Sequence, residues 1–261
     1  MAAIVTLTTD FGAQDAFVGT MKGVILSRCP AAQLVDLTHE IPPQAIRTGA
    51  LRLASAAPYF PAGTVHLVVV DPGVGGPRRP IAIEAGDQRF VGPDNGVLSL
   101  AAPSTRPGWR TVELTSQEHR LSPVSNTFHG RDIFAPAAAH LAGGGTLDDL
   151  GPRISSIVEL ALPLPERTGS LVRGVVLDID RFGNLITNIH SADLMDADIE
   201  RICVGPLRVD GLSAAYDPGR AAVAVVDSDD RLEIAVPGGD AAGQHGIRLD
   251  DPVEVRLRPS R

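Results

Sequence analysis

The sequence predicts an α/β N-terminal domain with a mostly parallel sheet, followed by a smaller all-β domain. Three observations carry this. Val65–Val70 is an almost unbroken apolar, β-branched run, as expected of a strand buried on both faces of a parallel sheet. In the first half such runs alternate with stretches of helical spacing, the signature of βαβ units. Beyond about residue 150 the helical periodicity stops, and β-rich runs separated by turn residues take over. The boundary is expected between 150 and 170, giving domains over 1–155 and 168–261.

The elements follow in order. Ile4–Thr9 reads as a first strand ending at Asp10. Asp15–Arg28 carries Phe17, Val18, Met21, Val24, Ile25 and Leu26 at helical spacing. Leu34–Leu37 is a short second strand, and Pro43–Ala57 a helix opened by prolines and stopped before Pro58. Val65–Val70 is the third strand. Ile81–Glu84 and Arg89–Val91 flank a Gly-Asp turn, and Ile133–Ala142 is a helix ended by Gly143-Gly144-Gly145. The second domain is read from Leu171–Ile179, Arg201–Val209, Ala221–Val226, Leu232–Val236 and Val253–Leu257.

Bulk properties narrow the function. A chain that is 44% hydrophobic and 21% charged can build a core, and a formal net charge of −8 argues against a nucleic-acid partner. A small-molecule ligand is expected instead. Cys29 and Cys203 form no CxxC pair and are read as buried free thiols, with a long-range disulfide as the alternative. The first ten residues lack a basic region, and no apolar run approaches the ~20 residues that span a bilayer. A cytoplasmic enzyme without membrane contact is expected.

Four acid-bearing turns stand out: Thr8-Thr9-Asp10-Phe11-Gly12 with Asp15 beyond it; Asp71-Pro72-Gly73-Val74-Gly75 with Arg78 and Arg79; Phe128-His129-Gly130-Arg131-Asp132; and Asp180-Arg181-Phe182-Gly183-Asn184. Asp71 closes a buried strand, where open α/β sheets bind ligands, and either arginine can fold back on it. Each turn also has a purely structural reading. Asp10 could cap the next helix, Asp71 could pair with an arginine to staple its turn, His129 could be a satisfied buried histidine, and Asp180–Asn184 could be an Asx hairpin turn. Common catalytic signatures are absent: no Walker-type phosphate loop, no GxGxxG after a strand, no HExxH and no nucleophile elbow. The seven histidines show no metal-ligand spacing.

In this order, TTDFG at 8–12, DPGVG at 71–75 with Arg78, FHGRD at 128–132 and FGN at 182–184 resemble the S-adenosyl-L-methionine hydroxide adenosyltransferases, a family related to the fluorinases and chlorinases. The resemblance spans Ile4 to about Leu257. It implies a barrel-like shape for the C-terminal β domain, and a homotrimer with sites between subunits. It also implies hydrolysis of S-adenosyl-L-methionine to adenosine and L-methionine, with no cofactor and no metal. By motif, the hydrolytic Asp, Arg and His fall on Asp71, Arg78 and His129. Ribose binding falls on Asp10, and the methionine ammonium on Asp15. Phe128, Asp180, Phe182 and Asn184 fall in the substrate pocket, Ser228 in the methionine-carboxylate region, and Val236 and Gly238 in the adenine region.

The chain departs from the halogenating relatives, which carry a Ser where Gly130 stands, lack the Asp/Arg/His set, and have an insertion where residues 85–88 form only a short turn. It also departs from the family near its C-terminal strands. Asp229 and Arg231 replace an expected Arg-Gly-Tyr pattern, and Pro237 replaces a common Asn. The competing functions are a 5′-halogenating transferase, a non-catalytic S-adenosylmethionine or adenosine-binding protein, and a metal-dependent phosphohydrolase using Asp10 and Asp71.

Overall fold

The computed structural model describes residues 3–194 and 198–258. The chain divides into two compact units, residues 1–160 and 161–261.

In the first unit the elements are β1 (Ile4–Thr9), α1 (Phe17–Arg28), β2 (Gln33–Thr38), α2 (Ile46–Ala56), β3 (Val65–Val69), β4 (Pro80–Ala85), β5 (Gln88–Pro93), β6 (Arg110–Glu113), α3 (Ala135–Ala142) and β7 (Arg153–Ile154). The sheet order is β2-β1-β3-β5-β4-β6-β7. The pairs β1·β2, β1·β3 and β3·β5 are parallel, whereas β4·β5, β4·β6 and β6·β7 are antiparallel. The sheet is therefore mixed, and parallel only over one half. Gly86-Asp87 explains the change of direction: a two-residue link closes a hairpin, whereas a parallel pair needs a long crossover.

After β1 the chain passes to one side, and after β2 it crosses to the other. This reversal opens a crevice beyond the carboxyl ends of β1 and β3, where open α/β sheets bind ligands. Asp10 and Asp71 follow those ends. Both faces of the sheet are covered. Val5, Leu7, Val65, Leu67 and Val69 pack with Met21 and Ile25 of α1 and with α3, while Val68, Val70, Ile81, Ile83 and Phe90 pack with Leu53 of α2. That two-sided burial is why β3 shows no alternation of polar and apolar residues.

Helix starts differ from expectation. The first begins at Phe17 rather than Asp15. The second begins at Ile46 rather than Pro43, because Gln44 has φ 66 and cannot be part of a right-handed helix. Gly130–Phe134 winds as a wider π turn, and the α-helix proper starts at Ala135. Strands β6 and β7 were not anticipated; they are too short to show a pattern.

The second unit contains β8 (Glu166–Thr168), β9 (Leu171–Ile179), β10 (Leu185–His190), α4 (Ser191–Leu194), β11 (Ile199–Val204), β12 (Leu207–Val209), β13 (Val223–Val226), β14 (Arg231–Ala235), α5 (Ala241–His245) and β15 (Pro252–Leu257). They form an antiparallel, barrel-like sheet in the order β12-β11-β15-β9-β10-β14-β13, with β8 on β9. Its core includes Val172, Val176, Leu185, Ile189, Ile202, Ile234 and Val255. Strand β10 was not read from the sequence, because Thr187 and Asn188 interrupt its apolar residues. Both are buried. Asn188 substitutes for ladder bonds at a register shift, its Oδ1 accepting from Val175 N at 2.7 Å and its Nδ2 donating to Pro163 O at 2.9 Å. The run over 201–209 is a hairpin turning at Gly205-Pro206. Cys29 and Cys203 are free and only partly buried.

Candidate active site

The turn after β3 brings together three of the anticipated residues. Arg78 Nε donates to Asp71 Oδ1 at 2.8 Å, Arg78 Nη2 donates to Asp71 Oδ2, and Arg78 Nη2 donates to His129 Nδ1 at 2.7 Å. The pair is sequestered, with side-chain exposures of 4% for Asp71 and 9% for Arg78. The guanidinium also lies over the Phe134 ring, 5.3 Å from its centroid. The turn itself is built by Val74 N donating to Asp71 O and Gly76 N to Gly73 O. Gly75 is obligatory, since it has φ 74 and a Cβ there would stand 2.2 Å from Asn126 O. Asn126 belongs to the segment before His129, and buried Asp132 holds that segment by accepting from Ser125 N at 2.8 Å. The second and third turns thus lock together.

The electrostatics follow from this geometry. Arginine can only donate, so Nδ1 of His129 is the acceptor and the neutral ring carries its proton on Nε2. Burial, and then the neighbouring Arg78 charge, push the His129 pKa below its ordinary value. The remaining guanidinium nitrogen, Arg78 Nη1, is buried with no hydrogen-bond partner among the described residues. A buried unpaired charged donor is costly, so it marks where an oxygen ligand would be held. Arg79 takes no part. It pairs with Asp94 instead, its Nε donating to Oδ2 at 2.8 Å.

Asp10 is not a helix cap. Its Oδ2 accepts from Gln44 N at 2.8 Å, and α1 is preceded by Ala16 with no side-chain cap. Thr9 Oγ1 bonds His39 Nδ1 at 2.9 Å, and Gly12 N donates to His39 O at 2.8 Å, so the segment after β2 clasps the Asp10 turn. Asp15 is exposed ahead of α1. Phe128 joins Phe11 and Phe17 in an aromatic cluster, with ring centroids 6.1 and 5.2 Å from Phe128. Gly130 is packed closely: a Cβ there would meet Met21 Sδ at 3.0 Å and Phe128 Cε2 at 3.3 Å.

In the second unit a cavity of about 730 Å³ is lined by Asp180, Phe182, Asn184, Tyr216, Val236 and Gly238, among others. Its size suits a nucleoside-sized ligand. Asp180 spends its carboxylate on its own turn. Oδ1 accepts from Phe182 N at 2.8 Å and Asn184 N at 2.9 Å, and Oδ2 from Asn184 Nδ2 at 2.9 Å. The Asx-turn reading therefore holds for Asp180, which fixes the two side chains that face the cavity. Ser228 lies elsewhere, in the turn between β13 and β14, with the whole of β14 between it and Val236.

Four residues escaped sequence reasoning. Tyr216 lines the cavity, and its hydroxyl donates to buried Glu233 at 2.6 Å. Burial and the charges of Asp180 and Asp227 push the Glu233 pKa up. Gln44, Asp94 and Asn95 support the first two turns. For Asp94-Asn95 the available signal was the Pro-Asp-Asn-Gly turn closing a buried strand. Tyr216 lies in a loop without periodicity and gave none. Among the described residues, no group of three or more His, Cys, Asp or Glu side chains could hold a metal ion.

Two domain profiles match the chain: the SAM hydroxide adenosyltransferase N-terminal domain over residues 5–151 and its C-terminal domain over 174–254. The chain belongs to the SAM hydroxide adenosyltransferase family. Relatives in this family include the (R)-S-adenosyl-L-methionine hydrolase of Salinispora tropica, 43% identical over 96% of this chain and 97% of that one. The enzyme of the same name from Thermus thermophilus is 39% identical over 95% and 97%. A fluorinase of Nocardia brasiliensis is 30% identical over 97% of each chain. An uncharacterised conserved protein from Thermotoga maritima, of known structure, superposes with a TM-score of 0.87 at 38% identity, covering 97% of this chain and 99% of that one.

Proposed function

We propose that this protein hydrolyses S-adenosyl-L-methionine to adenosine and L-methionine. The observation that carries this beyond family membership is the Asp71–Arg78–His129 cluster at the carboxyl end of β3, with one buried guanidinium donor left over. The substrate's sulfonium makes methionine a good leaving group, since a neutral thioether departs and needs no proton. The enzyme's task is to hold a water and align it. Arg78 Nη1 donates to that water, the Asp71 carboxylate accepts from it, and the guanidinium charge favours its hydroxide form. The water oxygen bonds to C5′ as the C5′–S bond breaks. The C5′–S electron pair stays on sulfur, and the proton of the attacking water passes to solvent. Asp10 holds the ribose diol and Asp15 the methionine ammonium, so positioning supplies much of the rate. Phe128, Phe182, Asn184, Val236 and Gly238 bind the rest of the substrate, Ser228, a strand's length from Val236, takes the carboxylate at the end remote from adenine, and no metal or cofactor takes part.

The proposal extends to a cytoplasmic homotrimer that takes substrate between subunits, as the family resemblance implies. At substrate well below the KM of Asn184→Ala, mixing it with inactive Asp71→Ala chains should give more activity than the two variants assayed apart, whereas a fully active monomer would refute shared sites. The function itself is tested by incubating the pure protein with S-adenosyl-L-methionine and a chelator. Adenosine and methionine are expected in equal amounts. Methylthioadenosine, S-adenosylhomocysteine, or loss of activity to the chelator would refute it.

A further inference from the structure

Two consecutive residues outside the cluster hold both ends of the segment that carries Asp71 and Arg78. They stand at the carboxyl end of β5, the strand parallel to β3. Asn95 Nδ2 donates to Val70 O at 2.9 Å, immediately before Asp71. Asp94, only 5% exposed, accepts Arg79 Nε at 2.8 Å, immediately after Arg78, while its own amide donates to Arg79 O at 2.9 Å. Asp94 is anchored in turn by Val158, whose amide donates to Oδ1 at 2.7 Å, and Arg79 Nη2 donates to Ser156 O at 2.9 Å. Asn95 is anchored by Val97 N donating to its Oδ1 at 3.2 Å.

We propose that Asp94 and Asn95 are positioning residues for hydrolysis: gripping residues 70 and 79 from one rigid strand end, they set the reach of Arg78 to Asp71 and His129. The inference rests on the proposed hydrolysis. The bond between Asp71 and Arg78 spans a turn containing three glycines, Gly73, Gly75 and Gly76. Pro72, Pro77 and two internal hydrogen bonds shape the turn, while its two ends fix where it sits on the sheet. The adjacent arginines consequently have separate duties. Arg78 faces the water, and Arg79 clamps the turn to β5 and to the segment at 156–158.

The test uses Asn95→Asp and Asp94→Asn in the full-length protein. Asn95→Asp keeps size and the acceptor for Val97 but loses the donor to Val70. Activity is corrected for folded fraction, and kcat, KM and the pH profile of kcat are measured. Both variants are expected to lower kcat roughly tenfold to hundredfold, the cost of a small misplacement, with KM within about twofold of the parent. The acid limb of kcat should also move to higher pH. Burial and then Arg78 press the His129 pKa down, against the opposing pull of Asp71 and Asp132 and with Arg120 as a further cation; loosening Arg78 lets it rise, and protonation of Nδ1 then breaks the bond from Arg78 at higher pH. Should Asp94→Asn not fold, Asn95→Asp decides alone. Variants that only lose thermal stability, with kcat and the acid limb unchanged, would overturn the inference. Absence of adenosine from the unaltered enzyme would overturn the functional reading and this inference with it.

Discussion

Asp71 and Asp180 each open a glycine-containing turn after a strand, yet the folded chain uses them in opposite ways. The Asp71 carboxylate reaches across its turn to Arg78, which in turn reaches His129 from a distant element, leaving a buried donor unpaired. The Asp180 carboxylate is consumed by amides of its own turn and by the neighbouring Asn184. The first is a tertiary, charged constellation fit to act on a water. The second is a local scaffold that presents Phe182 and Asn184 to a cavity. Like sequence patterns thus differ in partner: a distant guanidinium for Asp71, and the amides of its own turn for Asp180.

The sharpest way to break that contrast is Arg78→Ala. It removes the donor and strands the sequestered Asp71 carboxylate and the half-buried His129. Turnover should fall roughly 10²–10⁴-fold, with substrate affinity changed only a few-fold, as the proposed role on the water rather than the substrate requires. Equal losses in turnover and affinity would place Arg78 on the substrate.

Acid should discriminate the units next. In the N-terminal unit His66 is wholly buried, stacked on Phe90 with Nδ1 2.8 Å from Thr6 Oγ1, and burial followed by the Arg106 charge lowers its pKa from 6.5 to about 4. Above pH 6.5 the ring is neutral both folded and unfolded. Between 6.5 and about 4 only the unfolded chain takes the proton, so stability falls by about 3 kcal/mol as pH drops through that window. His66→Gln should flatten this part of the stability curve, measured by denaturant unfolding.

In the C-terminal unit, Asn184→Ala should weaken substrate binding by about 1–3 kcal/mol, roughly fivefold to 150-fold, with kcat at saturation largely kept. Asp180→Ala should do the same and also lower the melting temperature, since it leaves three donors of its turn unpaired. An Asp180→Ala chain with normal stability and lost turnover would instead make Asp180 a reacting group.

The smallest effect concerns Gly130. A Ser there must displace the Met21 thioether, 3.0 Å from the added Cβ, at a cost of about 1 kcal/mol or more. Gly130→Ser should therefore lose stability; it should also gain no halide transfer while Asp71 is present, because a sequestered carboxylate beside the proposed water repels an anion. Formation of a halogenated nucleoside by this single variant would show that residue 130, not Asp71, excludes the anion.

Much of this was legible because glycine, proline and acid at strand ends mark turns near ligands. The run Val65–Val70 announced a strand buried on both faces, and the crevice after β1 and β3 follows from chain order. The local pattern left open which of Arg78 and Arg79 meets Asp71, and only the family resemblance pointed to Arg78; in the fold Arg79 is drawn off by Asp94, across a strand pair. Nor was the Asp180 role, because an Asx turn and a ligand-binding acid share one local sequence. Strand β10 was hidden by buried Thr187 and Asn188; the Asn188 amide is satisfied by Val175 and Pro163, both distant in sequence. The antiparallel half of the sheet was written in the two-residue Gly86-Asp87 link.

The most direct test of the division between chemistry and binding is the source of the oxygen at the adenosine 5′ position. The protein is incubated with S-adenosyl-L-methionine in ¹⁸O-labelled water containing high chloride, and the nucleoside is analysed by mass spectrometry. One labelled oxygen in adenosine, with no 5′-chloro-5′-deoxyadenosine, is the expected result for a water held by Asp71, Arg78 and His129. Chloronucleoside as the main product would contradict that assignment.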